Sequence, residues 1–274
     1  MTDYILTHES SLRLAVFLSI LLLMMTAEAV FPRKKRVMGR GHRWTSNLLL
    51  IVIDGLFVRL LFPIVAVGIA VLAAEKNWGV FNLIDLPIWL EVTLSIIILD
   101  MLIYWQHVAS HHIPILWALH KVHHADRDID VTTGSRFHPL EIGFSMGYKM
   151  LLVALLGAPV LAVIIFELIL NGCAMFNHSN VKLPLAFDRI LRRFIVTPAM
   201  HRVHHSTIVS ETNSNYGFSL SLWDRIFGSY TAQPSQGHDG MVIGLEEYQT
   251  HGPASLAWSL WLPLKAKKTL EKWI

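Results

Sequence analysis

Cysteine occurs once in 274 residues, at Cys173, and charged side chains make up only 16% of the chain. A single thiol excludes a disulfide within the chain, and it excludes cysteine-built zinc fingers and iron–sulfur clusters, which need several thiolates. Metal chemistry here must use nitrogen or oxygen ligands. So little charge, set against 53% hydrophobic residues and a mean hydropathy of +0.47, is wrong for a water-facing surface. The proportions are those of an integral membrane protein. A formal net charge of +3 is too small for nucleic-acid binding by phosphate neutralisation. The chain also lacks solenoid-period repeats, low-complexity tracts and a flavin or nicotinamide fingerprint. Histidine is what it has in excess, with 15 copies, nine of them within positions 107–124 and 201–205.

Crossing about 30 Å of hydrocarbon takes roughly 20 apolar residues in a helix, and four stretches come near that length. Leu14 to Phe31 carries one charge, Glu28, and precedes Arg33, Lys34, Lys35, Arg36, Arg40 and Arg43. The positive-inside rule keeps that basic run in the cytoplasm and the N-terminus outside. A cleaved signal peptide is the competing reading, opposed by cations that follow the apolar stretch and by Asp3 and Glu9 before it. Leu48 to Ala74, with Asp54 and Arg59 near one end, is expected to cross outward, and Leu83 to Gln106 to return. The fourth stretch, Phe144 to Leu170, is split by Gly157-Ala158-Pro159 into halves too short for ordinary spans. A hairpin that dips in and returns keeps the histidines before and after it on one side, whereas a straight span separates them. Ala254 to Leu264, with Trp258 and Trp261 and followed by Lys265, Lys267, Lys268 and Lys272, reads as a helix lying in the interface. The expected fold is all-α, a membrane bundle of three spans and a short hairpin, capped by a cytoplasmic helical domain rich in histidine. The divisions are a transmembrane region (1–99), a catalytic domain (100–232, with the membrane hairpin at 144–170) and a C-terminal tail (233–274).

Three histidine motifs follow in order: His107-x-x-x-His111, His120-x-x-His123-His124 and His201-x-x-His204-His205. Positions i, i+3 and i+4 share a helix face, so each motif aims two or three imidazoles one way. Without a cation, eight clustered imidazoles leave buried donors and acceptors unpaired or repel one another as cations. A metal removes both costs. His178, in Asn177-His178-Ser179-Asn180, is a ninth candidate ligand, while His112 points about 100° away from His111 and is expected not to bind. Four groups are candidates for support behind the ligands. Asp100 and Tyr104 extend the stripe of His107 and His111 backwards, with Asp100 expected to orient an imidazole. Glu141 is expected to accept from a ligand imidazole or to pair with Arg136, and His138 and Asn215 stand near the motifs. Asp126, Arg127, Asp128 and Asp130 read as a solvated loop, Glu167 as a carboxylate needing a partner, and His8, His42, His238 and His251 as ordinary polar residues. Two closed zinc sites of four ligands each are one possible outcome; two iron ions sharing about eight imidazoles are the more economical one.

At these residues the chain resembles the fatty acid hydroxylase and sterol desaturase superfamily of membrane di-iron oxygenases. The resemblance runs from about Asp100 to Tyr230. It rests on the motifs above, on Asp130-Val131-Thr132-Thr133 with Arg136-Phe137-His138-Pro139-Leu140-Glu141, on Thr197-Pro198 before His201, and on Asn213 to Gly217 and Leu222 to Gly228. It implies that dioxygen activated at two ferrous ions attacks an unactivated C–H bond of a lipid drawn from the bilayer. The product is an alcohol, or an alkene if a second hydrogen is lost. It also implies two electrons per turnover from a separate ferredoxin, cytochrome or reductase. The expected function is lipid hydroxylation; a sterol or acyl-lipid desaturase and a non-catalytic zinc-binding membrane scaffold are the alternatives, zinc being able to substitute in a preparation.

Overall fold

Proline and glycine set where the apolar helices begin and end. In the computed structural model, which describes residues 8–265, the long helices are α1 (Glu9–Val30), α2 (Arg40–Leu61), α3 (Ala66–Lys76), α4 (Ile88–His112), α6 (Pro139–Leu156) and α7 (Val160–Asn177). Between α4 and α6 lies α5 (Pro114–His124); α8 (Leu185–Leu191), α9 (Pro198–His204) and α10 (Leu256–Lys265) follow. Among the described residues there is no strand, only three isolated bridges. Five segments are long and apolar enough to cross a membrane, α2 and α3 being counted as one of them. Their outward faces carry exposed leucines such as Leu18, Leu22, Leu60, Leu151 and Leu155.

The second apolar stretch is not one continuous helix. Pro63 breaks it: Phe62 takes the extended conformation (φ −121°, ψ 115°) that a following proline ring favours, and α3 restarts at Ala66. The fourth stretch divides at the expected point, with Gly157 in the left-handed region (φ 66°) between α6 and α7, but each leg runs 18 residues and is long and apolar enough to cross by itself, so five such segments stand where three spans and a short hairpin were expected. A side chain there would meet the Trp78 carbonyl at 2.6 Å, and one on Gly79 would meet the Gly157 nitrogen at 2.0 Å, so two glycines let the hairpin tip lie on the loop before α4. α6 packs on α2 and α3, and α7 on α1, α3 and α4, around a core that includes Leu99, Ile103, Val153, Val163 and Phe166. Glu167, in α7, is buried and paired with Lys149 of α6 at 2.5 Å and Arg13 of α1 at 2.6 Å, the partners its position demands.

Proline at the first helical turn starts both short helices that carry histidine motifs, Pro114 in α5 and Pro198 in α9, the latter with Thr197 Oγ1 accepting from the Met200 amide. α5 packs against α4, α6 and α10, and α9 against α7. The segment joining α5 to α6 departs from the expected solvated loop. Asp126, Asp128 and Asp130 are buried, and Arg43 of α2, itself fully buried, donates to Asp126 at 2.6 Å, Asp130 at 2.5 Å and the Asp128 carbonyl at 2.9 Å. Asp128 accepts in turn from the Val37 and Met38 amides, and Glu28 of α1 accepts from those of Val131 and Asn180. Burying this much charge requires such complete pairing. The C-terminal helix α10 packs on α5 and α2 and buries Ser259 and Leu262, leaving Trp261 exposed. Lys265 is its last described residue, and Lys267, Lys268, Lys272 and Asp3 lie outside the described residues.

Arg43→Ala leaves Asp126 and Asp130 buried without their cation. The expected cost is about 3–5 kcal/mol, read as loss of folded protein in detergent or a lowered unfolding midpoint; an unchanged midpoint counts against the clamp.

Candidate metal centre

All nine histidines singled out as ligands meet in two adjoining groups. His107, His111, His120, His124 and His204 form one, and His123, His178, His201 and His205 the other, with the ligand atoms of each group within 4.8 Å of one another. The spacing within the motifs explains the partition. On α5, His120 and His124 are four residues apart and face the first group, while His123 turns to the second. On α9 the pattern reverses: His204 serves the first group, His201 and His205 the second. Each motif thus contributes to both groups, except the first, which supplies His107 and His111 to one alone.

Six of the nine are oriented through Nδ1. His107 contacts the Tyr216 carbonyl at 2.7 Å, His204 the Ser214 carbonyl at 2.7 Å, His178 the Ala174 carbonyl at 2.7 Å and His123 the Arg136 carbonyl at 3.2 Å. His120 contacts Glu141 Oε1 at 2.6 Å, and His111 contacts Asn213 Oδ1 at 3.2 Å. An oxygen acceptor at Nδ1 fixes the proton there and leaves Nε2 as a lone pair. Those lone pairs converge: Nε2 of His107 lies 3.2 Å from Nε2 of His120, and Nε2 of His178 lies 3.0 Å from Nε2 of His123. Lone pair facing lone pair is repulsive unless something positive lies between them. Further ring nitrogens are buried with no partner, including Nε2 of His111 and His204 and both nitrogens of His124 and His205. The donor set therefore fits metal ions, one per group.

The supporting residues sort differently from the expectation. Glu141 accepts from His120, and Arg136 is taken elsewhere, donating to the Val122 carbonyl, Asn47 and Ser259. Asp100 touches no imidazole; its Oδ2 accepts from Trp223 Nε1 at 2.8 Å and the Leu220 amide at 3.1 Å, which ties α4 to the segment after the third motif. Helical offset placed it on the right stripe two turns too far from the ligands. Tyr104 bonds Ser229 and packs its ring on Tyr216 and Phe227. Asn215, at positive φ (52°), ties backbone to backbone through Met200 and Thr231. His138 caps α6, accepting from the Leu140 amide, and stands outside both groups. His112 contacts the Tyr216 hydroxyl at 3.1 Å, also outside them. Asn213 stands in a turn-prone run that reads as a structural turn ahead of a supporting role, yet it contacts His111, and the carbonyls of Tyr216, Ser214, Arg136 and Ala174 carry no residue-type signal at all.

Burial away from water is the main influence on these rings, with neighbouring imidazoles adding to it. It pushes His178 down to about 4 and His204 to about 3, and it takes His123, His124, His201 and His205 well below the ordinary histidine value. A cavity of about 350 Å³ reaches the first group at His107 and His120 and extends between α6 and α7. Ile103, Met146, Leu170 and Phe218 give it apolar wall, and Asp54 and Glu141 line it with Oδ1 and Oε2 unpartnered.

The fatty acid hydroxylase family model matches residues 92–229. An alkylglycerol monooxygenase of Xenopus tropicalis is 32% identical over 202 residues, 71% of this chain and 43% of that protein. An ornithine lipid hydroxylase of Rhizobium tropici is 30% identical over 149 residues, 54% of this chain and 44% of that protein. A lathosterol oxidase of Mus musculus is 30% identical over 148 residues, 52% of this chain and 46% of that protein. The chain thus spans less than half the length of these relatives. No solved structure matches it.

Held neutral by burial, His123, His124, His178, His201, His204 and His205 take up protons once the chain unfolds, so the unfolded state binds more protons at any pH below the ordinary histidine value of about 6.5. Stability of the metal-free chain should be fully present above about pH 7. It should fall as pH drops from about 6.5 toward the depressed values near 4 and 3, by up to about 1.4 kcal/mol per pH unit for each ring. Unfolding midpoints of chelator-treated protein across that range check this, and a flat profile contradicts it.

Proposed function

Since the chain belongs to the fatty acid hydroxylase family, we propose that it is a membrane-bound, iron-dependent oxidoreductase that inserts oxygen from O2 into a C–H bond of a lipid. The observation that carries this reading is the two adjoining imidazole groups, the first of which meets a cavity between membrane-length helices at His107 and His120. Two iron ions would be held by His107, His111, His120, His124 and His204 on one side and by His123, His178, His201 and His205 on the other. Five nitrogens exceed the four of an ordinary tetrahedral zinc site.

Bound there, the iron pair supplies dioxygen activation. The chain's own residues do the rest. Glu141, Asn213 and four backbone carbonyls keep the Nδ1 protons in place and the ligand lone pairs aimed inward. Ile103, Met146, Leu170 and Phe218 offer the substrate chain an apolar wall that excludes water. Asp54 Oδ1 and Glu141 Oε2, facing the same cavity with no partner, suit hydroxyl or ammonium donors at the lipid's polar end. This matches relatives named for acting on an alkylglycerol and an ornithine lipid.

The histidine groups belong on the cytoplasmic side in this reading. Lys34, within the basic run after α1, bonds Asn180, two residues from His178, so the run and the centre share one end of the bundle. Residues 1–99 then serve as anchor, 100–232 as the catalytic unit and 233–274 as a tail. A separate electron donor docks on the cytoplasmic face.

Lipids from cells with and without the chain, grown under 18O2 and compared by mass, test the reaction. A lipid heavier by one labelled oxygen is expected, and it should vanish with His204→Ala while membrane insertion persists. Loss of two hydrogens instead would make the enzyme a desaturase. Unchanged lipids from iron-replete cells, with zinc filling both groups, would contradict the proposal.

A further inference from the structure

Arg202 stands between His201 and His204 in α9, yet its side chain lines a different, small cavity of about 70 Å³. The guanidinium is fully buried. Nη2 reaches the Ser179 carbonyl at 3.3 Å, while Nε and Nη1 have no partner. Arg33, Arg192 and His238 line the same cavity, and Nε of Arg192 and both ring nitrogens of His238 are likewise buried and unpartnered. Burial and the three neighbouring guanidiniums pull the His238 imidazole down to about 4, so it stays neutral among cations. One carboxylate lines the cavity, Asp188; it is spent on Arg192 through Oδ2, and its Oδ1 is unpartnered. An unpaired guanidinium sealed from water is costly, and a cluster of unspent donors with excess positive charge complements an oxyanion.

We propose that this cavity binds a phosphate group. Its oxygens accept from Nε and Nη1 of Arg202, from Nε of Arg192 and from the N–H of His238, with Arg33 at the rim, and its one retained proton goes to Asp188 Oδ1. Sulfate has no proton to give that oxygen. At about 70 Å³ the cavity has the scale of one small oxyanion and leaves no room for an acyl chain. The group has two sources, free phosphate or the head of a phosphomonoester lipid, because Arg33 lies just beyond the end of α1 at Val30. Occupancy neutralises Arg202 beside two ligand histidines and so stabilises α9, independently of any turnover.

The test uses the full chain in detergent, exchanged into phosphate-free buffer, with its unfolding midpoint followed during titration with inorganic phosphate, sulfate or chloride at matched ionic strength. A saturable rise with phosphate is expected, larger than with sulfate and absent with chloride. Arg33→Gln should weaken it at least tenfold, and Arg202→Gln should abolish it; if that second variant fails to fold, the rim variant still decides. In bilayers containing phosphatidic acid, loss of the response to added phosphate identifies the lipid head as the source, and a retained response identifies free phosphate. No saturable response, an equal response to sulfate, or an Arg33→Gln chain that responds like the parent overturns the proposal.

Discussion

Nine imidazoles are enclosed away from water, six of them with Nδ1 directed outward to an oxygen acceptor, and the rest of the architecture serves that constraint. The outward side is a shell of oxygen acceptors drawn from four separate segments: Glu141 at the start of α6, Ala174 near the end of α7, Arg136 before α6, and the run Asn213 to Tyr216. The inward side is a set of lone pairs that repel one another until cations lie between them. The shell therefore has to be rigid before any metal arrives. The buried pairing of Arg43 with Asp126 and Asp130 supplies part of that rigidity, because it fixes the segment that leads from His124 to Arg136.

The membrane hairpin is the second condition. α6 and α7 leave the histidine end and return to it, so Glu141 at the first turn of one and His178 just past the last turn of the other meet within one cluster of rings. A straight crossing would put these residues at opposite ends of the bundle. The same hairpin opens a cavity between its legs, which joins apolar helix faces to the His107–His120 edge of the first group. The cavity and the meeting of Glu141 and His178 at one end of the bundle are thus consequences of one turn at Gly157.

Much of this was legible in the sequence, for reasons that particular residues make plain. Gly157-Ala158-Pro159 cannot continue a helix, which marked the hairpin, and the i, i+4 spacing put His120 with His124 and His201 with His205, while the i+3 histidine of each motif turned to the other group. His178 and Glu141 were legible through residue type. Other features were not. A carbonyl acceptor leaves no mark in the sequence, since every residue has one, so most of the shell around the ligands was invisible. Arg43 looked like the last member of a basic run, and three aspartates at alternate positions looked like a solvated loop; only their burial together shows an ion-paired clamp. Asp100 was placed on the correct stripe, but its partner, Trp223, comes from a segment that no local pattern ties to it. Pro63 divides the second apolar run, which by its overall length reads as one crossing.

The central claim is that the two imidazole groups hold two metal ions of a redox-active kind. Native mass spectrometry of the full chain from iron-replete cells, paired with elemental analysis, tests it most directly. The account requires about two iron ions per chain, falling to about one when His205 is replaced by alanine. A chain that carries no metal, or one ion regardless of that substitution, would contradict it.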